Sequence, residues 1–161
     1  MTATDPLRQQ LALFIDFGEA HVTAEAAMAN LDPALQGQRP EGLPHSPWEL
    51  LEHIRLTQHD ILDFCVNPKY EEMKWPDDYW PPSPAPPNAE AWNKRVASFR
   101  KDRDAFRKLA TDSKIDLFAK IPHGEGQTYL RELLLAQDHL SYHTGQLVLV
   151  RQALGAWPPA K

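Results

Sequence analysis

The segment Ala136-Gln-Asp-His-Leu-Ser-Tyr-His-Thr-Gly-Gln146 lies inside a largely apolar run that extends from about Leu130 to Leu154. Its periodicity is that of a helix, and it places two histidines in a stripe otherwise made of Leu and Val. On a helix His139 and His143 stand one turn apart, roughly 5–6 Å from each other on one side. At about a hundred degrees per residue, Glu132, Leu135, Gln146, Val150 and Leu154 share that side. The chain must therefore cover this stripe with other elements while giving the imidazole nitrogens partners, because an unsatisfied polar ring among aliphatic side chains is costly. A bound metal ion would satisfy them, and so would ordinary hydrogen bonds. A third ligand elsewhere in the chain would favour the metal.

Length and charge limit the classes. A chain of 161 residues suits one domain over residues 1–161. Its formal net charge is -5, with 17 Lys plus Arg against 22 Asp plus Glu and no long basic block, which argues against nucleic acid as the main partner. Cys65 is the sole cysteine, so no internal disulfide can form. No signal-like segment opens the sequence, and no run reaches the eighteen or so apolar residues of a membrane span. A soluble, cytoplasmic protein without membrane contact is expected.

Taken in order, Asp5-Pro6 opens a first helix, predicted over about 6–30, with an acidic cap before a proline at the first helical position. His21 falls on its apolar side, and Asn30-Leu-Asp-Pro33 ends it. A polar connector over 33–46 leads to Ser46-Pro47-Trp48-Glu49, which spells a capping box with proline at the first position. The second helix should run from Pro47 to about Val66, stopped by Asn67-Pro68. His53 shares a face with Leu56, Thr57, Asp60 and Phe64, which makes it the obvious third ligand. His59 points elsewhere, and His45, before the cap, is read as an exposed loop residue.

Between Lys69 and Asn88, Trp75, Tyr79 and Trp80 are interleaved with Pro76, Pro81, Pro82, Pro84, Pro86 and Pro87. Such proline density forbids a regular helix and favours extended segments. The aromatics argue for a crossover strapped over the bundle; a Pro-rich ligand for a partner domain is the rival reading. The third helix is placed at about Ala89–Asp112, with Trp92, Val96, Phe99, Phe106 and Leu109 apolar. A short apolar patch from Ile115 to Ile121 and the loop Pro122-His-Gly-Glu-Gly126 precede the fourth helix. His123, sixteen residues before His139, is too far along the chain to be a good ligand. With no convincing strand pattern, the expected fold is all-α, a four-helix bundle with a long Pro/Trp-rich crossover between the second and third helices.

Three histidines leave at least one coordination position open to water or substrate, whereas structural zinc sites are closed and usually rich in cysteine. Imidazole suits zinc and nickel, and also cobalt, iron and manganese. Asp60 and Glu132, on the same faces as the histidines, could orient an imidazole or take a proton, and the bland alternative for each is a helix salt bridge.

A helix-borne His53 after Pro47-Trp48-Glu49-Leu50-Leu51-Glu52, then Asp138-His139-Leu-Ser-Tyr-His143-Thr-Gly-Gln146, with Leu154-Gly155 closing the last helix, resembles the DinB/YfiT-like superfamily of metalloenzymes. The resemblance covers nearly the whole chain, and its specific part is the histidine triad. It implies a four-helix bundle, often dimeric, in which His53, His139 and His143 hold one divalent metal ion; zinc or nickel is the expected ion. Relatives include S-transferases that use low-molecular-weight thiols such as bacillithiol or mycothiol and a maleylpyruvate isomerase, and other members are assigned as metal-dependent hydrolases. The resemblance thus implies an enzyme that activates a water or thiol on a small-molecule substrate, working as a homodimer. A non-catalytic metal- or ligand-binding bundle acting through a protein partner is the alternative, and a purely structural role for the histidines is the third reading.

Overall fold

The computed structural model describes residues 5–17 and 20–159. The α-helices among them are α1 (Pro6–Phe17), α2 (Ala24–Met28), α3 (Pro47–Val66), α4 (Ala91–Thr111) and α5 (Tyr129–Ala153). Strand structure in the described residues is limited to one isolated antiparallel bridge, Lys120 to Thr128. The four long helices form the bundle: α3 packs against both α4 and α5, α1 lies on α4, and α2 lies on α5.

Local chemistry sets the limits of α3. Ser46 Oγ accepts the Glu49 N–H at 3.2 Å and Glu49 Oε2 accepts the Ser46 N–H at 2.8 Å, so both donors of the capping box are satisfied. At the far end Asn67 leaves the helical conformation before Pro68, where the sequence predicts the stop. α5 begins at Thr128, whose Oγ1 accepts the Arg131 N–H at 3.2 Å. It closes at Gly155 (φ 69°), where the N–H groups of Gly155 and Ala156 bond the carbonyls of Gln152 and Arg151 at 3.0 and 2.8 Å. That left-handed turn is open to glycine at little cost.

The single helix predicted over about 6–30 is two helices. Thr23 is extended and its Oγ1 accepts the Ala26 N–H at 3.1 Å, which starts α2 afresh. Val22-Thr23 is β-branched and Thr is a favoured N-cap, so a new start is locally preferred to continuation.

Two apolar clusters form the core. Leu50, Leu51, Ile54, Trp92, Phe99 and Leu147 meet at one end, and Ile61, Leu62, Phe106, Leu109, Ile121 and Leu133 at the other. Each large side chain so buried contributes roughly 1.5–3 kcal/mol. Arg151 is also wholly buried and donates to the carbonyls of Ala27, Ala29 and Ala156, tying the end of α5 to the end of α2.

The proline-dense crossover straps α3. Only Asp77–Tyr79 makes a short 3-10 turn. Ser46 Oγ donates to the Pro84 carbonyl at 2.5 Å, and the hydroxyls of Tyr70 and Tyr79 donate to Asp60 at 2.9 and 2.8 Å. Tyr79 and Trp80 pack down, but Trp75 does not: it is 69% exposed. None of the described helices is long and apolar enough to cross a membrane.

Candidate metal centre

α3 carries His53, and α5, which packs on it, carries His139 and His143 one turn apart. The structure brings the three rings together: Nε2 of His53 lies 3.1 Å from Nε2 of His139 and 3.2 Å from Nε2 of His143. His53 is 3% exposed, His143 8%, and His139 is half-buried. Nitrogens bound to one ion at about 2.0–2.1 Å stand roughly 3 Å apart, so the spacing fits a shared cation.

The second nitrogens fix the tautomers. His53 Nδ1–H donates to the Tyr79 carbonyl at 2.9 Å, and His143 Nδ1–H donates to Gln146 Oε1 at 2.7 Å. Carbonyl oxygens only accept, so both protons sit on Nδ1 and both Nε2 atoms present bare lone pairs. Protonation does not remove the conflict at neutral pH. Burial lowers His53 to about 4, more than the Tyr79 carbonyl offsets, with the His143 and His45 rings adding to the fall. Burial again, then the neighbouring His143 and His53, lowers His139 to about 3, and burial lowers His143 as well. Two lone pairs thus stand 3.2 Å apart with no proton between them, an arrangement that a shared cation would satisfy.

Trp80 braces the site. Its ring stacks on His53 with centroids 4.0 Å apart and planes 1° from parallel, and on His45 at 4.2 Å and 16°. His45 is therefore a half-buried part of this wall and not the exposed loop residue the sequence predicts. The strap reaches it from 35 positions away, beyond any local signal.

The remaining histidines stay apart from the triad. His59 pairs with Asp102 at 3.1 Å, His123 bonds the Phe64 carbonyl at 2.8 Å, and His21 bonds the Val22 carbonyl at 2.8 Å and Ser141 at 3.1 Å. Asp60 (8% exposed) accepts the Tyr70 and Tyr79 hydroxyls in place of an imidazole or a salt bridge. Glu132 (2% exposed) pairs with Arg131 at 2.7 Å, which is the salt bridge the bland reading expects. Both line a cleft of about 440 Å³ with Tyr70, Tyr79 and the His123 loop. Burial pushes the Cys65 thiol up to about 12, so it is no nucleophile at neutral pH.

Sequence reasoning missed the Tyr79 carbonyl and the Trp80 stack. Gln146 left a trace, since it stands on the histidine face three residues after His143.

No curated protein and no solved structure matches this chain. A family model, the DinB superfamily, matches residues 17–147, a span that holds the whole histidine triad and the strap. With most of its length matched and an all-helical bundle as its fold, the chain belongs to the DinB superfamily.

Proposed function

We propose that His53, His139 and His143 hold one divalent metal ion, zinc or nickel, and that the centre activates a water or a thiol against a small-molecule substrate, as a hydrolase or a thiol S-transferase does. The observation that supports this reading best is the pair of bare Nε2 atoms of His53 and His143, aimed at each other at 3.2 Å by hydrogen bonds on their far sides. Three neutral nitrogen donors without cysteine suit an open, catalytic site better than a closed structural one. A divalent ion bound there lowers the pKa of a coordinated water or thiol toward neutrality.

The chain supplies position and shelter. Tyr79 and Gln146 keep two rings in the ligating tautomer, and Trp80 covers one face of His53. A groove of about 800 Å³ under the strap, lined by Trp48, Trp80 and Arg95 among others, has the size of a small-molecule site; none of the three histidines lines it, and Trp80, stacked on His53, is what it shares with the centre. Asp60 is occupied by two hydroxyls and Glu132 by Arg131, so in this reading neither takes the proton of the nucleophile. Leu134, Tyr142 and Leu149 are exposed along α5 and offer the apolar surface for the expected homodimer.

The test is turnover of the metal-loaded protein and its His139→Ala variant with thiol–electrophile pairs and with esters. Metal-dependent turnover in the parent alone supports the reading. Equal turnover in both, or none in a parent that carries its metal, overturns the enzymatic part.

A further inference from the structure

Asp60 sits two turns beyond His53 on α3, is 8% exposed, and has no cationic partner among the described residues. Its Oδ1 accepts the Tyr70 O–H at 2.9 Å and its Oδ2 accepts the Tyr79 O–H at 2.8 Å. Both tyrosines belong to the strap. The main-chain carbonyl of the same Tyr79 accepts His53 Nδ1–H at 2.9 Å, and the next residue, Trp80, lies flat on the His53 ring. One short segment is thus fastened to α3 at Asp60 through the side chain of Tyr79, and it grips His53 through the backbone of Tyr79 and the face of Trp80.

From this juxtaposition we infer that Asp60 is a positioning residue for His53, acting through Tyr79 and not through a direct contact with the histidines or the substrate. This rests on the metal-site reading given above and adds to it the means by which one ligand is aimed.

Asp60 pre-organises the ligand through the strap. The strap has proline-rich, extended backbone and little regular hydrogen bonding of its own, so the position of the Tyr79 carbonyl depends on side-chain anchors. A carbonyl held at 2.9 Å from Nδ1 keeps the proton there and leaves Nε2 free to ligate. Once the anchor is lost, the Tyr79 carbonyl is no longer held against the ring, and the imidazole can place its proton on Nε2, where it blocks the ligand atom. Burial makes the anchor strong, because two hydroxyl donors to a shielded carboxylate are charge-assisted bonds. Tyr70 fastens the start of the strap to Oδ1 alone and does not touch His53, so it serves as the internal control.

The experiment compares Asp60→Ala, Tyr79→Phe and Tyr70→Phe in the full chain. Zinc affinity is measured by competition with a chromophoric chelator, and the His53 tautomer by imidazole nitrogen chemical shifts in the metal-free protein. Losing a group that orients a ligand typically costs 10–100-fold in metal affinity. Asp60→Ala should fall in that range and Tyr79→Phe should lose about tenfold. Both should shift His53 away from the Nδ1–H form, while Tyr70→Phe stays within about twofold of the parent and keeps the tautomer. Tyr79→Phe removes one oxygen and keeps the ring, so it reports even if Asp60→Ala unfolds. Parent-like zinc affinity and an unchanged tautomer in Tyr79→Phe would overturn the inference, as would an equal loss in Tyr70→Phe. If the parent itself takes up no zinc, the metal-site reading fails, and the tautomer measurement still decides whether Asp60 aims His53.

Discussion

Gln146 gives the sharpest perturbation of the centre, because two replacements there are expected to act in opposite directions. Its Oε1 accepts His143 Nδ1–H at 2.7 Å and so holds the proton away from Nε2. In Gln146→Leu that acceptor is gone, and the His143 proton is free to move to Nε2, where His53 Nε2 waits 3.2 Å away as an acceptor. The metal-free variant thereby exchanges a lone-pair conflict for a neutral hydrogen bond worth about 1 kcal/mol. Metal uptake has to break that bond and reorient the ring. Loss of such an orienting contact costs 10–100-fold in affinity, or about 1.4–2.8 kcal/mol. Gln146→Glu keeps the acceptor and adds a negative charge behind the ring, so affinity should match or exceed the parent. The assay is chelator competition with zinc at pH 7.5, alongside thermal unfolding of the metal-free proteins. The expected pattern is weaker binding with unchanged or slightly higher metal-free stability for Gln146→Leu, and parent-like or tighter binding for Gln146→Glu. Binding within twofold of the parent in Gln146→Leu would rule out this role for Gln146, as would equal losses in both variants.

Other outcomes follow from the same geometry. Because burial holds His53 at about 4 and His139 at about 3, below the ordinary 6.5, the unfolded chain takes up protons first as the pH falls. The metal-free fold should therefore lose stability from about pH 6.5 down toward pH 3, and lose less in a His53→Ala/His139→Ala double variant; equal thermal shifts in the two proteins would contradict this. Trp80→Ala should cost at least about 1 kcal/mol in denaturant unfolding through its two ring stacks, whereas Trp75→Ala, at an exposed site, should stay within about 0.5 kcal/mol. Cys65, buried and pushed up to about 12, should resist a thiol reagent in the native fold at pH 8 and react on unfolding; labelling of the native protein at the rate of a free thiol would count against that burial.

At the ends of α3 and α5, where the chemistry is local, the sequence is legible. The ends of α3 follow from Ser46, Pro47 and Glu49 at one side and Asn67-Pro68 at the other, and the end of α5 follows from Gly155. The triad was legible as well, since two histidines at helical spacing and a third on another capped helix leave few ways to satisfy three rings. What escaped was held by contacts between distant residues. The Tyr79 carbonyl on His53, the two tyrosine hydroxyls on Asp60, and Trp80 on His45 all depend on where an irregular, proline-rich strap comes down, which no periodicity encodes. The break between α1 and α2 was a local matter misjudged: the apolar spacing continues past Thr23, but the cap at Thr23 wins. Asp60 and Glu132 sit on the predicted faces yet face tyrosine hydroxyls and Arg131, because a shared helix face does not by itself determine the partner.

The most direct test of the central claim is the metal content of the tag-free protein, purified without chelator, beside the His139→Ala variant. About one divalent ion per chain is expected in the parent and essentially none in the variant, with most helix content kept. No metal in the parent, even after incubation with zinc, nickel or manganese, would contradict it, as would equal metal in both proteins.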